Sequence, residues 1–453
     1  MSLKRFILTV SAMTLIASNA NAQKRDSIDE NYRRSSLCVL LIDETDMPMR
    51  DTIKAAFLSS PIPDKYNDHN ICERIINIKD YKVTDNDRLA FEAASKADPS
   101  ATAVAVTAPK KKGAFGGMMK GMLGLPTITG SNSSMSKDDY AVAANMHIVD
   151  NGIAKQLVDN WFIDGDTIFS MKKVQERGLY AASALDVETA KNSARGMAML
   201  EDAGEELIGN TFVVVSRYRY MSKDELVAEI NAIAQTAANL AGGGYASLGA
   251  SAATIAIKAS LGAGYYVKTT SYLFKLRWNT EVASTFYSEL WNNREAYDDS
   301  ELFSLQYIGS ESAWANVKAG IFTSKPESEL IRIATVNASD AAIAKLAKNN
   351  NVFKTKTPLI IDGDGIYAKI GLKEGLEAGD RFEVLERIQD EKTGKTVYNK
   401  KGEVKVSKGH IWDNRYMADE ELRLTGKEQD FDMTRFDGSV KGLYSGMLLR
   451  QIK

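Results

Sequence analysis

The chain is poor in the side chains that most enzymes work with. Only three histidines, His69, His147 and His410, and two cysteines, Cys38 and Cys72, occur in 453 residues. The histidines lie far apart, and none has a His or Cys partner at metal-ligand spacing, so each is expected to be structural and no metal site is predicted. The cysteines have no Cys-x-x-Cys spacing. In an oxidising compartment they could close one disulfide loop of about 34 residues, worth roughly 3–4 kcal/mol. Cys38 fits a buried free thiol equally well, because it stands in the apolar run Leu37 to Ile42. An excess of one charge is also missing. The formal net charge is −2, which removes the electrostatic case for nucleic acid as a partner. No proline occurs between Pro126 and Pro326, a stretch suited to long helices and paired strands in one domain. Complete cofactor motifs are lacking as well. Gly242-Gly243-Gly244 is followed by Ser247 where a dinucleotide fingerprint needs glycine, and there is no Walker A sequence. No cofactor is expected.

What is present begins with an address. Lys4 and Arg5 precede the apolar run Phe6 to Ala17, and Ala20-Asn21-Ala22 follows. This is the pattern of a secretory signal peptide cleaved after Ala22, too short to serve as a membrane anchor. Gln23 stands where lipid attachment would need cysteine. Residence in the periplasm, or in association with an outer membrane, is the expectation.

The periodicities point to an α+β protein. Ser36 to Asp43 reads as a buried strand and Met49 to Leu58 as a helix. A turn-rich stretch from Pro61 to Asn70 follows, then a strand and a short helix ending near Ala97. Helices are expected at 151–162, 167–182 and 186–208, the last with Val187, Ala190, Ala194, Met197, Leu200 and Leu207 on one stripe. Thr211 to Tyr220 alternates Phe212, Val214, Tyr218 and Tyr220 against Arg217 and Arg219. Tyr265 to Trp278 repeats that alternation, and Asn279 to Trp291 returns to helix. A short helix near 337–349 is expected to be capped by Ser339 or Asp340. Short strands with Gly- and Asp-containing turns then fill residues 352–453, a β-barrel-like domain. The body would span 23–349, with insertions at 108–136 and 222–264.

Candidate chemistry is sparse. Ser134-Met135-Ser136-Lys137 and Lys392-Thr393-Gly394 match fragments of penicillin-binding enzymes, but they read as a solvated linker and a hairpin turn. Glu201, Asp202, Glu205 and Glu206 place like charges at i,i+4 near a helix C-terminus. A solvated helix face explains them, and an acidic site of a periplasmic hydrolase is the alternative. Ile163-Asp164-Gly165-Asp166 and Ile361-Asp362-Gly363-Asp364-Gly365 lack the ligands that would complete a calcium loop. No catalytic residue is therefore assigned.

Two insertions stand out. Lys110, Lys111, Lys112 and Lys120 are mixed with Phe115, Met118 and Met119 among glycines, a composition suited to membrane-surface or partner contact. Ile230 to Ile257 carries no charge, and Gly242, Ala246 and Ala250 recur every four positions, a spacing that suits close helix packing and self-association.

Three stretches, Pro61 to Asn70, Arg177 to Ser183 and Asp202 to Val213, together resemble a group of exported bacterial proteins of unknown function. The similarity covers most of residues 36–330 and implies no activity. Gly371 to Val384 is similar to a barrel segment of several envelope-assembly proteins. The expectation is a non-enzymatic, exported cell-envelope protein acting by binding or assembly, with an envelope protein or itself as partner. A membrane-inserting protein is a further alternative.

Overall fold

Strand β1, Ser35–Ile42, is apolar on both faces because it lies inside a mixed sheet. The computed structural model describes residues 33, 35–96, 135–163, 169–181, 204–240, 264–318, 320–322, 324–354, 356–389 and 396–452. Helix α1 (Arg50–Ser59) leads to β2 (Tyr66–Asp68) and β3 (Ile75–Ile76), both parallel to β1. Helices α2 (Asp85–Lys96), α3 (Lys137–Asp150), α4 (Ile153–Phe162) and α5 (Lys172–Ala181) follow. Strand β4 (Thr211–Met221) pairs parallel with β1 and antiparallel with β5 (Gly264–Leu276), and α6 (Lys223–Leu240) lies between β4 and β5 in the chain. Helix α7 (Thr280–Thr285) runs into a π-helical turn, Phe286–Leu290, and α8 (Arg294–Asp298) precedes edge strand β6 (Leu305–Lys318). The spatial order is β2-β1-β4-β5-β6.

Alternation sends the two faces of this sheet to different helices. Leu37, Phe212, Val214 and Leu273 pack under Ile343 and Leu346 of α9 (Glu327–Asn349). Cys38, Leu40, Ile42, Val213 and Val215 pack on Tyr140, Ala143, Ala144 and Ile148 of α3. A third cluster gathers Trp161, Phe162, Phe169, Phe286 and Tyr297 around α4 and the π-turn.

Beyond Asn350, β7 (Lys356–Pro358), β8 (Ile360–Asp362), β9 (Gly365–Ala368), β10 (Arg381–Gln389), β11 (Thr396–Val406), β12 (Thr434–Asp437) and β13 (Leu448–Gln451) form a second sheet, with helix α10 (Ala418–Thr425) before β12. All its pairs are antiparallel, in the order β7-β13-β10-β11-β12-β9-β8. Its two end strands are joined by Leu359 alone, so the sheet must curl until its edges meet. No strand pairing closes it among the described residues. The fold is α+β.

Several elements differ from the sequence reading, among them helix α10 in a region expected to hold strands only, β2 within the turn-rich stretch, and helix α8. Helix α9 starts at Glu327, after Pro326, rather than near 337. Helix α3 stands where a linker was expected to end, and its Ser136 N-cap forms a capping box with Asp139. The edge strand β6 occupies a stretch for which side-chain period gives no strand signal. Of the two alternatives for the cysteines, the structure has the free thiols: Cys38 is buried and Cys72 is exposed. Ile71 packs inward beside Cys38, while Cys72 turns to the surface.

Candidate functional site

The early start of α9 decides how a cleft forms beside the C-terminal sheet. Read as an N-cap, Asp340 would sit at an exposed helix end. In the 23-residue helix it falls mid-helix, facing the C-terminal sheet. Its neighbours on the same helix are satisfied locally. Thr335 Oγ1 donates to Ile331 O at 2.8 Å, and Ser339 Oγ donates to Thr335 O at 2.7 Å. Ser339 Oγ also meets Tyr218 Oη at 2.8 Å. Asp340 Oδ2 is buried with no hydrogen-bond partner.

The cleft runs between α9 and the second sheet and encloses about 60 Å³. Pro63, Lys65 and Tyr66 form one wall; Lys373, Glu374 and Leu376 form the other. The two bodies approach closely here. Gly375 adopts φ +70°, and a Cβ there would lie 3.3 Å from Ala344 Cβ, so both backbone conformation and space favour glycine. Lys348 Nζ reaches Asp380 at 3.3 Å across the same seam. Lys354 Nζ donates to Ile452 O at 3.2 Å. Glu374 Oε2 accepts from Gly371 N at 2.6 Å and Asn414 Nδ2 at 2.9 Å.

Burial pushes the Asp340 carboxyl up to about 7, with Lys373 opposing and Glu374 and Asp64 adding to the rise. A group so poised is a neutral donor below neutrality and a charged acceptor above it. The cleft therefore offers a hydrogen-bonding position whose sense depends on pH.

The three histidines are placed very differently. His69 is fully buried, with Nε2 2.9 Å from Leu157 O and Nδ1 2.6 Å from Arg177 Nη1. Arginine can only donate, so Nδ1 accepts and Nε2 donates, which makes the ring neutral. Burial first, then Arg177, holds its pKa well below the usual histidine value. His69 packs on Trp161 with the rings tilted by 35°, and the Arg177 guanidinium lies 4.4 Å above that indole. His147 sits beside Asn151 and Tyr81, and His410 stacks on Phe431. Among the described residues no group of three or more His, Cys, Asp or Glu is placed to hold a metal ion.

Of the acidic quartet, Glu201 and Asp202 lie outside the described residues. Glu205 accepts from Trp278 Nε1 at 3.1 Å and from Tyr287 Oη, tying it to the aromatic cluster. Lys110, Lys111, Lys112, Phe115, Met118, Met119, Lys120, Gly242, Ala246 and Ala250 lie outside the described residues, as do residues 1–22, read above as a signal peptide, and Lys392-Thr393-Gly394. Ser136 of the Ser-x-x-Lys match is a helix cap and Lys137 the first residue of α3. Gly363, at φ +55°, turns the β8–β9 hairpin. Among the described residues no helix is long and apolar enough to cross a membrane.

Asp340 was missed as a site because a polar residue inside an Ala-rich segment reads as a cap. Pro326 followed by Glu327 and Glu329, with Leu330, Ile331, Ile333 and Ala334 next, carried the true start signal. The chain matches no protein-family model and no curated protein.

Proposed function

We propose that this chain is an exported cell-envelope protein that works by binding, holding a small ligand or a partner's side chain in the cleft between its α+β body and its C-terminal sheet. The observation that carries the reading is Asp340: a buried carboxylate oxygen without a partner, in a cleft between two packed units. An orphan acceptor of this kind costs about 1–3 kcal/mol unless something supplies a donor. The ligand class that follows is a primary amine or another strong hydrogen-bond donor. Export rests on the leader-like first 22 residues and on the resemblance to exported proteins. The curled C-terminal sheet agrees with the barrel segment of envelope-assembly proteins that Gly371 to Val384 resembles, and a closed barrel there belongs to the proposal.

Thermal unfolding of the full chain, titrated with methylamine and ethanolamine at pH 6 and pH 8, tests the cleft. Stabilisation at pH 8 that Asp340→Asn removes is expected. Equal shifts in both proteins, or none, reject the cleft as the site. N-terminal sequencing of the protein from an envelope fraction is expected to begin at Gln23. The hydrolase reading is not favoured, because Glu205 is committed to Trp278 and Tyr287.

A further inference from the structure

On the sheet face opposite α9, alternation and register bring cations together that lie far apart in the chain. Arg217 pairs with Thr270, and Arg219 with Lys268, on β4 and β5. Continuing outward to β6, Thr270 pairs with Ser312 and Lys268 with Trp314. Directly paired residues share a face, and Thr270 Oγ1 meets Ser312 Oγ at 3.0 Å. Helix α6 packs Leu226 and Val227 on Met221 and Tyr266 at one end of this face. Tyr140 of α3, 4.3 Å under the Arg217 guanidinium, bounds the other end. Between them Arg217, Arg219, Lys268 and Thr270 line a recess of about 20 Å³.

Three carboxylates face these three cations, but they do not engage them equally. Arg217 Nε pairs with Glu44 at 2.8 Å. Lys268 and Arg219 share Glu229, which lies against Lys268 and only 4.0 Å from Arg219. Glu225 also faces Arg219, but its carboxylate caps Ser222 N at 2.8 Å. Lys137 from α3 and Lys345 from α9 add positive charge. Burial chiefly, with Arg219, Arg217, Lys137 and Lys345 adding to it, brings Lys268 down to about 8 even though Glu229 lies against it. Trp314 remains 42% exposed beside it, on the edge strand.

We propose that this recess binds a terminal oxyanion, a carboxylate or phosphate group, whose planar or apolar body lies outward against Trp314. The recess is wide enough for about one or two water-sized groups, which suits the oxygens of an oxyanion and not a whole sugar or nucleotide. Arg219 is the principal recognition residue, because its guanidinium has the weakest carboxylate partner of the three cations.

Calorimetric titration of the full chain with inorganic phosphate, phenyl phosphate and benzoate tests this. Saturable binding is expected, with phenyl phosphate tighter than inorganic phosphate and Trp314→Ala erasing that gain. Arg219→Gln is expected to weaken binding roughly tenfold or more, and Lys268→Gln to weaken it as well, with unchanged unfolding midpoints certifying the fold. The tighter of phenyl phosphate and benzoate identifies which oxyanion the site takes. Absence of saturation with all three probes at millimolar concentrations overturns the proposal, as does wild-type affinity in both folded variants.

Discussion

Two titratable side chains, the fully buried His69 and the half-buried Asp340 with its buried Oδ2, sit on seams of the same body and have opposite fates. At the α4–α5 seam every polar atom of the His69 ring is used, by Leu157 O and Arg177, and Trp161 packs against both ring and guanidinium. At the α9 seam Asp340 keeps an oxygen without a partner beside a cleft. Burial alone thus does not mark a site. A satisfied network fixes the scaffold, whereas an unsatisfied group carries a standing cost that a ligand can relieve.

The largest expected effect breaks the first seam. Trp161 is fully buried, and its Nε1 donates to Thr211 Oγ1 at 2.9 Å. Trp161→Ala should cost about 3–5 kcal/mol, read as a lowered urea midpoint.

The two groups should next be separable by pH. The folded pKa of His69 lies below its unfolded value near 6.5. Its contribution is therefore complete above that pH and is lost as pH falls. Asp340 runs the other way. Its folded pKa near 7 lies above the ordinary aspartate value of 3.8, so the folded state holds the extra proton, and stability declines as pH rises from about 4 to about 7. Asp340→Asn should flatten that decline and raise stability at pH 8 by roughly 1–3 kcal/mol, with almost no gain at pH 4. Denaturation series at several pH values measure both slopes. A destabilised Asp340→Asn protein at pH 8 would show that the carboxylate is held by charge and would remove the reason for a ligand there.

The smallest effect tests how the second seam is held. Lys348, a third exposed, reaches Asp380 at 3.3 Å, and Lys348→Ala should cost at most about 1 kcal/mol. A loss several times larger would mean that this ion pair, rather than packing around Ala344 and Gly375, holds the two bodies together.

Much of the fold was legible from side-chain periods. The strands around Cys38, Val214 and Leu273 and the helix ending at Phe162 follow from alternation and helical stripes. Strand β6 escaped because an edge strand is only partly buried, and its Gly309, Ser310 and Ser312 mute the pattern. Helix α3 escaped beneath the Ser- and Gly-rich tract before it, although Ser136 and Asp139 spell its capping box. The candidate sites were the least legible part. The opposition of Arg217 and Arg219 to Tyr218 was readable, but Lys268 joins them only through antiparallel register, and Asp340 meets the C-terminal sheet only through packing.

The order of apolar and polar residues determined by itself the α+β class, the main strands and most helices, because burial of one face acts within a few residues of chain. Tertiary structure alone decided which cations share a recess, which thiol is hidden and which carboxylate is left without a donor. Those outcomes depend on strand register and on the approach of distant segments, which side-chain period does not encode.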